Sequence, residues 1–327
     1  MERTSLEPKY YLGSETLASV CHAVSDPLRV NILRVLRFDS FGVLELCRIF
    51  DMPQPGMSHH LKVLLKARLV NTRREGNSIF YRREMILSND CLSSFKMKLF
   101  GTIDSVRLDD PYQEIIRDIH KSRSESSRDF FERNALKFAT KQALVADYLQ
   151  YSKILQEILG NMRFSREDSA MEIGPGEGDL LCHLSSLFSR VYAFDNSKEM
   201  LERARSNVSG KGFFNIFFYE GDPKEATRYD IMVDLLVFNM VLHHLAYPAA
   251  FFHDAKRLLK SEGRLLLVEL CSHDQTWVRD SCGDVWLGFR PTDLNEWAED
   301  AGFFEIQSLY IGLKNGFQIQ MRVFERS

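Results

Sequence analysis

Ser169-Ala170-Met171-Glu172-Ile173-Gly174-Pro175-Gly176-Glu177-Gly178-Asp179 is the stretch on which the fold turns. Ala170 to Ile173 has strand length, three glycines at every second position follow it, and a helical pattern opens at Leu180. Glycine is needed where a ligand must approach the backbone without a Cβ in the way. Outward from this point short apolar runs alternate with helical patterns: Leu180 to Phe188, Val191 to Phe194, Met200 to Ala204, Ile216 to Tyr219, Leu235 to Phe238, Phe251 to Leu259 and Leu265 to Val268. That succession predicts a largely parallel sheet covered by helices on both faces, with ligands at the carboxyl ends of its strands.

The second strand ends in Asp195, 21 residues after Gly174, where a carboxylate can accept both hydroxyls of a ribose. The glycines follow GxGxG with Asp179 immediately after, so the third glycine of the dinucleotide pattern is missing. A pyrophosphate wants a helix N-terminus free of acid, whereas a cationic ligand tolerates Glu177 and Asp179. S-adenosylmethionine fits this loop better than a dinucleotide. Gly221-Asp222 follows the third strand, where an acid can accept from an adenine amino group, and Phe238-Asn239-Met240-Val241-Leu242-His243-His244-Leu245 follows the fourth. Against each feature stands a plainer alternative, that the glycines only turn the chain and that Asp195 and Asp222 cap helices. Four features in the expected order and spacing weigh against that alternative.

At 327 residues the chain is long enough for two domains. Its 45% hydrophobic, 12% aromatic and 27% charged residues exclude disorder as the main theme. No apolar run approaches the roughly 18 residues of a membrane span, and Met1 to Tyr11 holds charges of both signs without an apolar stretch, so a cytoplasmic location and no membrane partner are expected. Six cysteines lie far apart without CxxC pairs, which reads as buried free thiols. The net charge of −3 hides an asymmetry: residues 1–100 carry 15 Lys and Arg against 10 acids, and the rest 27 against 35. Between Gln54 and Met85 seven cations face Glu75 and Glu84 alone, a local excess that suggests phosphate contacts.

In that first part Leu17, Val20, Cys21 and Val24 recur at helical spacing, and Ser25-Asp26-Pro27 starts a second helix with an N-cap and a proline at its first position. A loop is predicted at Phe38 to Gly42, a helix on the stripe Val43, Leu46, Cys47 and Phe50, and a tight turn at Met52 to Gly56. The next helix runs to about Lys66 with Leu61, Leu64 and Leu65 inward and Ser58, His59, Lys62 and Lys66 outward. Leu69 to Arg73 and Ile79 to Arg82 read as strands of a hairpin around Glu75-Gly76-Asn77. Two short helices, the second basic, followed by a basic hairpin form a winged helix-turn-helix. Its second helix suits a major groove, with Gln54, Ser58, His59, His60 and Lys62 toward DNA, while Arg73, Arg74 and Arg82 on the wing reach phosphates.

This part also resembles the ArsR/SmtB family of bacterial winged-helix regulators, through Ala23 to Leu33, Gln54 to Leu64 and Arg73 to Arg82. The resemblance covers about residues 14–100 and implies binding to an operator on double-stranded DNA and a homodimer formed through terminal helices, for which Met85 to Phe100 is the candidate. Its metal-sensing positions are mostly absent. The thiol pair of the arsenic-sensing helix is reduced to Glu45-Leu46-Cys47-Arg48, and Asp118-Ile119-His120 lacks its partner because Phe131 and Glu132 stand there. No metal is therefore expected.

From about residue 140 onward the strand-tip set resembles the class I S-adenosylmethionine-dependent methyltransferases, particularly the small-molecule group that includes UbiE. That resemblance implies that Glu172, Gly174, Gly176 and Gly178 surround the amino-acid part of the donor, Asp195 the ribose, Asp222 the adenine and Asn239 the backbone near the sulfonium, with Asn196, Met200 and Gly221 also in the cofactor site. Glu172 replaces the more frequent Asp, and Pro175 the Thr or Ala often found there. His273 to Arg279, Asp284 to Phe289, Leu294 to Phe303 and Phe130 to Ala135 resemble bacterial fusions of the two families, which extends the likeness over nearly the whole chain. The expected fold is two domains: a mainly α winged helix-turn-helix at 1–105, a helical connector at 106–140, and at 141–327 an α/β Rossmann-like methyltransferase with a mostly parallel seven-stranded sheet.

Methyl transfer is an in-line displacement in which alignment does most of the work and a base is optional. His243 or His244 can take a proton from a hydroxyl or thiol acceptor, and His244 is the named candidate. Glu269, Trp277 and Trp286 are candidates for the acceptor pocket, against the alternative that both tryptophans are core. Three functions stay open: a DNA-binding regulator that methylates a small molecule, a regulator that only senses donor or its demethylated product S-adenosylhomocysteine, and a methyltransferase whose winged helix serves dimerisation or protein docking.

Overall fold

Asp26 accepts the backbone N–H groups of Leu28 at 2.8 Å and Arg29 at 3.3 Å, and Pro27 is the first helical residue, so a helix starts where the sequence predicts it. A computed structural model of the chain describes residues 13–75, 78–84, 86, 90–135 and 138–326. The chain divides into two units, Met1–Ile119 and His120–Ser327.

The first unit runs α1 (Ser14–Ala23), α2 (Pro27–Val35), β1 (Phe41–Gly42), α3 (Val43–Ile49), α4 (Gln54–Lys66), β2 (Val70–Glu75), β3 (Ser78–Arg83) and α5 (Ser93–Ser105), and includes the start of α6 (Asp110–Asn134). Ile32, Leu33, Phe41, Leu46, Leu61 and Leu64 are fully buried in its core. The hairpin pairs Val70 with Arg83 and Glu75 with Ser78, and Gly76 and Asn77 of its tip lie outside the described residues. Two local expectations change. The loop ending at Gly42 becomes β1, because buried Phe41 pairs with Tyr81 along the free edge of β3. The turn at Met52 to Gly56 is already helical from Gln54, since Pro55 sits in a first turn whose N–H groups have no intrahelical acceptor. The helix sought from Met85 begins at Ser93 and buries Lys96, Phe100 and Ile103; Met85 and residues 87–89 lie outside the described residues.

Helix α6 runs unbroken through Ser122 to Arg128 as a solvated helix, with exposed i,i+4 ion pairs Lys121–Glu125 at 3.8 Å, Arg128–Glu132 at 3.7 Å and Asp129–Arg133 at 3.3 Å. The second unit continues with α7 (Phe138–Ala146) and α8 (Tyr148–Asn161). Asp147 separates α7 from α8 by accepting the Leu149 N–H as an N-cap, and Leu144 and Leu149 are left 58% and 78% exposed.

The sheet follows: β4 (Ser169–Ile173), α9 (Asp179–Leu187), β5 (Arg190–Asp195), α10 (Lys198–Ser209), β6 (Ile216–Glu220), α11 (Pro223–Ala226), β7 (Val233–Asn239), α12 (Pro248–Leu258), β8 (Leu259–Leu270), α13 (Trp277–Cys282), α14 (Pro291–Asp300), β9 (Phe303–Gly312) and β10 (Gln318–Arg326). Strand order is β6-β5-β4-β7-β8-β10-β9, with β4 to β8 parallel and β10 antiparallel to both its neighbours. This is the mostly parallel seven-stranded, Rossmann-like sheet expected. All five residues of β4 are buried, as a central strand covered on both faces requires. The order reverses between β4 and β7, which opens a crevice at their carboxyl ends. Of the cysteines, Cys271 and Cys282 are buried, whereas Cys21 and Cys91 are exposed and Cys47 and Cys182 half-buried, so burial holds for only part of the set. Among the described residues no helix is long and apolar enough to cross a membrane.

Candidate cofactor cavity and recognition helix

The crevice holds a cavity of about 210 Å³. Gly174 and Gly176 line it after β4, Asp195 and Asn196 after β5, Gly221 and Asp222 after β6, Asn239 after β7, and Met200 on α10. Gly174 has φ +64°, and a Cβ there would stand 2.5 Å from Val241 Cγ2, so only glycine fits. Two expected residues are off the wall. Gly178, at φ +85°, turns the chain into α9 against Ala204 and Val208. Glu172 is buried behind the loop, its Oε2 has no partner among the described residues, and burial raises its carboxyl well above the usual range.

Asp195 accepts the Ser197 N–H at 2.8 Å, and burial pushes its carboxyl up to about 7. Asp222 does cap a helix, accepting the Glu225 N–H at 2.8 Å while Glu225 accepts its own N–H at 3.0 Å, and it lines the cavity as well. Asp147, Glu177 and Asp179 add to the acidic wall, and among the described lining residues there is no Lys or Arg. Arg203 at 2.7 Å and Asn207 at 2.9 Å hold the Glu177 carboxylate. The remainder of the lining was not read from the sequence: Ser127 and Phe131 on α6, Gln142 on α7, and Tyr148 and Tyr151 on α8. Tyr151 donates to Asn239 Oδ1 at 3.0 Å. A tyrosine pair at i,i+3 on one helix face was the available signal.

His243 and His244 sit in a one-turn 3-10 helix, Leu242–His244, after β7. His243 Nδ1 lies 2.6 Å from Glu269 Oε1, and its backbone N–H donates to Glu269 Oε2 at 3.1 Å. Burial opposes a charge on His243, yet Glu269 and then Asp284 carry it up to about 9. His244 goes the other way: burial and the neighbouring His243 hold it well below the ordinary histidine value. Its Nδ1 is 3.2 Å from the Gly283 carbonyl, which assigns the proton to Nδ1 and leaves a lone pair on Nε2. That Nε2 is buried with no hydrogen-bond partner among the described residues, on a residue that lines the cavity, and the Phe131 ring meets the His244 ring edge-on at 4.8 Å between centroids. Glu269, Trp277 and Trp286 do not line the cavity. Glu269 is buried behind His243, Trp286 is a core residue donating to the Leu245 carbonyl at 2.7 Å, and Trp277 is 38% exposed.

On the first unit, α4 buries Met57, Leu61 and Leu64 and exposes Gln54, Ser58, His59 and Lys62. Residues 54, 58 and 62 repeat at four, so they share one face. His60 leaves that face, with its ring 3.9 Å from the Asp26 carboxylate. Along β2 the alternation puts Arg73 and Glu75 on one side, buried and paired, and Arg74 on the other, exposed. Arg82 is buried on β3.

Residues 26–72 match the bacterial regulatory protein, arsR family, and residues 171–267 match a methyltransferase domain. An HTH-type transcriptional regulator of Methanocaldococcus jannaschii is 41% identical over 70 residues, 20% of this chain and 76% of its own. The arsenical resistance operon repressor of Staphylococcus xylosus is 36% identical over 71 residues, 22% of this chain and 68% of its own. For the second unit, the methyltransferase YcgJ of Bacillus subtilis is 29% identical over 103 residues, 32% of this chain and 41% of that protein. The crystal structure of YcgJ aligns with 53% of this chain and 97% of its own at 15% identity and a TM-score of 0.46. A domain of this class takes S-adenosylmethionine as donor and releases S-adenosylhomocysteine.

Proposed function

Because the chain belongs to the arsR family of bacterial regulatory proteins and carries a methyltransferase domain, we propose that it is a cytoplasmic, homodimeric operator-binding regulator whose second unit methylates a small molecule. The cavity at the β4/β7 crevice carries this reading. Its acidic wall, without a cation among the described lining residues, suits a sulfonium nucleoside and disfavours an anionic acceptor. In the proposed complex Asp195 accepts the ribose hydroxyls, Asp222 the adenine amino group, and the Gly174 to Gly176 backbone takes the amino-acid part. The acceptor meets Phe131, Tyr148 and His244, and His244 Nε2 takes its proton as the methyl group moves from sulfur to the acceptor's heteroatom. DNA is held by Gln54, Ser58, His59 and Lys62 from the exposed face of α4, with Arg74 from the wing. Phe95 and Met97, 37% and 57% exposed on α5, are apolar surface suited to a partner copy.

Calorimetry with S-adenosylmethionine on the full chain tests the donor site; absence of heat at millimolar donor would overturn it. An operator shift assay run with and without donor separates an enzyme that regulates independently from one whose DNA affinity follows donor occupancy. His244→Ala should slow turnover with a hydroxyl or thiol acceptor while leaving donor affinity unchanged. Equal turnover removes the base.

A further inference from the structure

Asp284 is 1% exposed in its side chain, and neither of its carboxylate oxygens has a hydrogen-bond partner among the described residues. A buried carboxylate is expensive unless it is paired, hydrogen-bonded or bound to a metal ion. Its Oδ1 stands 4.0 Å from His243 Nε2 and 3.9 Å from His244 Nδ1, and both rings are buried. One ligand atom from each of the three residues lies within 4.8 Å of the other two. Ligands on a tetrahedral zinc ion at roughly 2.1 Å are about 3.4 Å apart, so the two pairs that include Asp284 need to close by about half an ångström and the two imidazole nitrogens by at most about 1.4 Å. His243 is already oriented for the task, since the Glu269 carboxylate at its Nδ1 turns Nε2 toward Asp284. Histidines bound to metals are commonly held by such an outer carboxylate.

We propose that His243 Nε2, His244 Nδ1 and Asp284 form a binding site for a divalent cation of the zinc class, with Glu269 as the group that orients His243. Two imidazoles and one carboxylate suit zinc or cobalt; magnesium and calcium want an all-oxygen set, and copper(I) wants thiolates. Cys282 stands apart from the set, with its Sγ 3.7 Å from the Lys141 carbonyl. The sequence offered no metal signal here because the two histidines and Asp284 are 40 residues apart, without a ligand-spacing motif. Once Nδ1 of His244 binds the ion, the ring proton moves to Nε2, and His244 can no longer accept a proton from the cavity. That consequence rests on the proposed role of His244 as a base. The site itself does not.

The test uses the full chain, freed of metal with a chelator and titrated with Zn²⁺ against a chromophoric competitor, then with Co²⁺ followed by its visible absorption. The expected result is about one equivalent per chain, bound tighter than roughly 1 μM. Asp284→Asn should weaken binding by about 100-fold or more, and Glu269→Gln by about 10-fold. Circular dichroism checks that each variant is folded, and His244→Asn gives the same readout should Asp284→Asn fail that check. Failure to bind either ion below about 100 μM overturns the site. Zinc held equally well by folded Asp284→Asn or His244→Asn places the ion elsewhere and overturns it too. Neither readout involves the methyl donor, so failure here leaves the cofactor cavity untouched.

Discussion

The two functional surfaces use charge in opposite ways. On α4 the polar and cationic groups stand in water on an exposed helix face, where their Coulomb field reaches outward and is screened by salt. In the cavity Asp195 is buried and pushed up to about 7 before any ligand arrives, with Asp222 and Glu177 half-buried beside it. A site of the first kind attracts its partner from a distance at little structural expense. One of the second kind holds a carboxylate desolvated in advance, so that a matching ligand relieves a cost already present.

The largest expected effect is therefore inside. Asp195→Ala should weaken S-adenosylmethionine by about 100-fold or more, because both ribose hydroxyls lose a charged acceptor. Calorimetry reads this directly, and a loss under about threefold would mean that the carboxylate only serves the Ser197 turn. Next comes Gly174→Ala, which puts a Cβ against Val241 at positive φ and should cost about 1–3 kcal/mol of stability, seen as a lowered thermal midpoint. An unchanged midpoint would show that the loop can shift.

Lys62→Ala should weaken operator binding by about 10-fold and reduce the slope of log K against log salt by about 1, while donor affinity stays nearly flat across the same salt range. A salt-dependent donor affinity would erase the contrast between the two surfaces. The ribose needs an ionised Asp195, so donor affinity should rise by about 10-fold between pH 6 and 8, through the raised value near 7. The free protein should behave in the opposite sense. Its folded carboxyl is raised above the ordinary value of 3.8, so stability falls as pH climbs from 4 toward 7, and Asp195→Asn should remove that slope. The smallest effect belongs to the solvated surface: Glu125→Ala, which breaks the exposed pair with Lys121, should change stability by less than about 0.5 kcal/mol in a denaturant melt.

What the sequence disclosed, and what it withheld, follows from how far each contact reaches along the chain. The glycine loop and Asp195 were legible because a parallel sheet gathers strand tips whatever the details of packing, and tips announce themselves by apolar runs ending in glycine or acid. The amphipathic face of α4 was legible for the same local reason. Phe131, Gln142 and Tyr148 were not, since they reach the cavity only once α6, α7 and α8 have folded over it. His243 meets Glu269 from 26 residues away, and no periodicity encodes that distance. Other misses had a local signal that was passed over. Arg73 lies two residues before Glu75, hence on the same side of β2, and strand alternation alone pairs them and leaves Arg74 outside. The strands β9 and β10 were reached only through family likeness. Asp147 marks the break between α7 and α8 as an N-cap, a signal local to the chain.

The contact between Gly174 and Val241 has a further consequence for traffic into the cavity. A floor in which one strand tip carries no side chain and the next presses a branched one onto it has no slack for breathing. Passage of a nucleoside in or out then falls to the ceiling, where Ser127, Phe131, Gln142 and Tyr148 hang from helices rather than from the sheet. Residence time of the proposed donor should therefore respond more to substitutions on those helices than to substitutions in the floor.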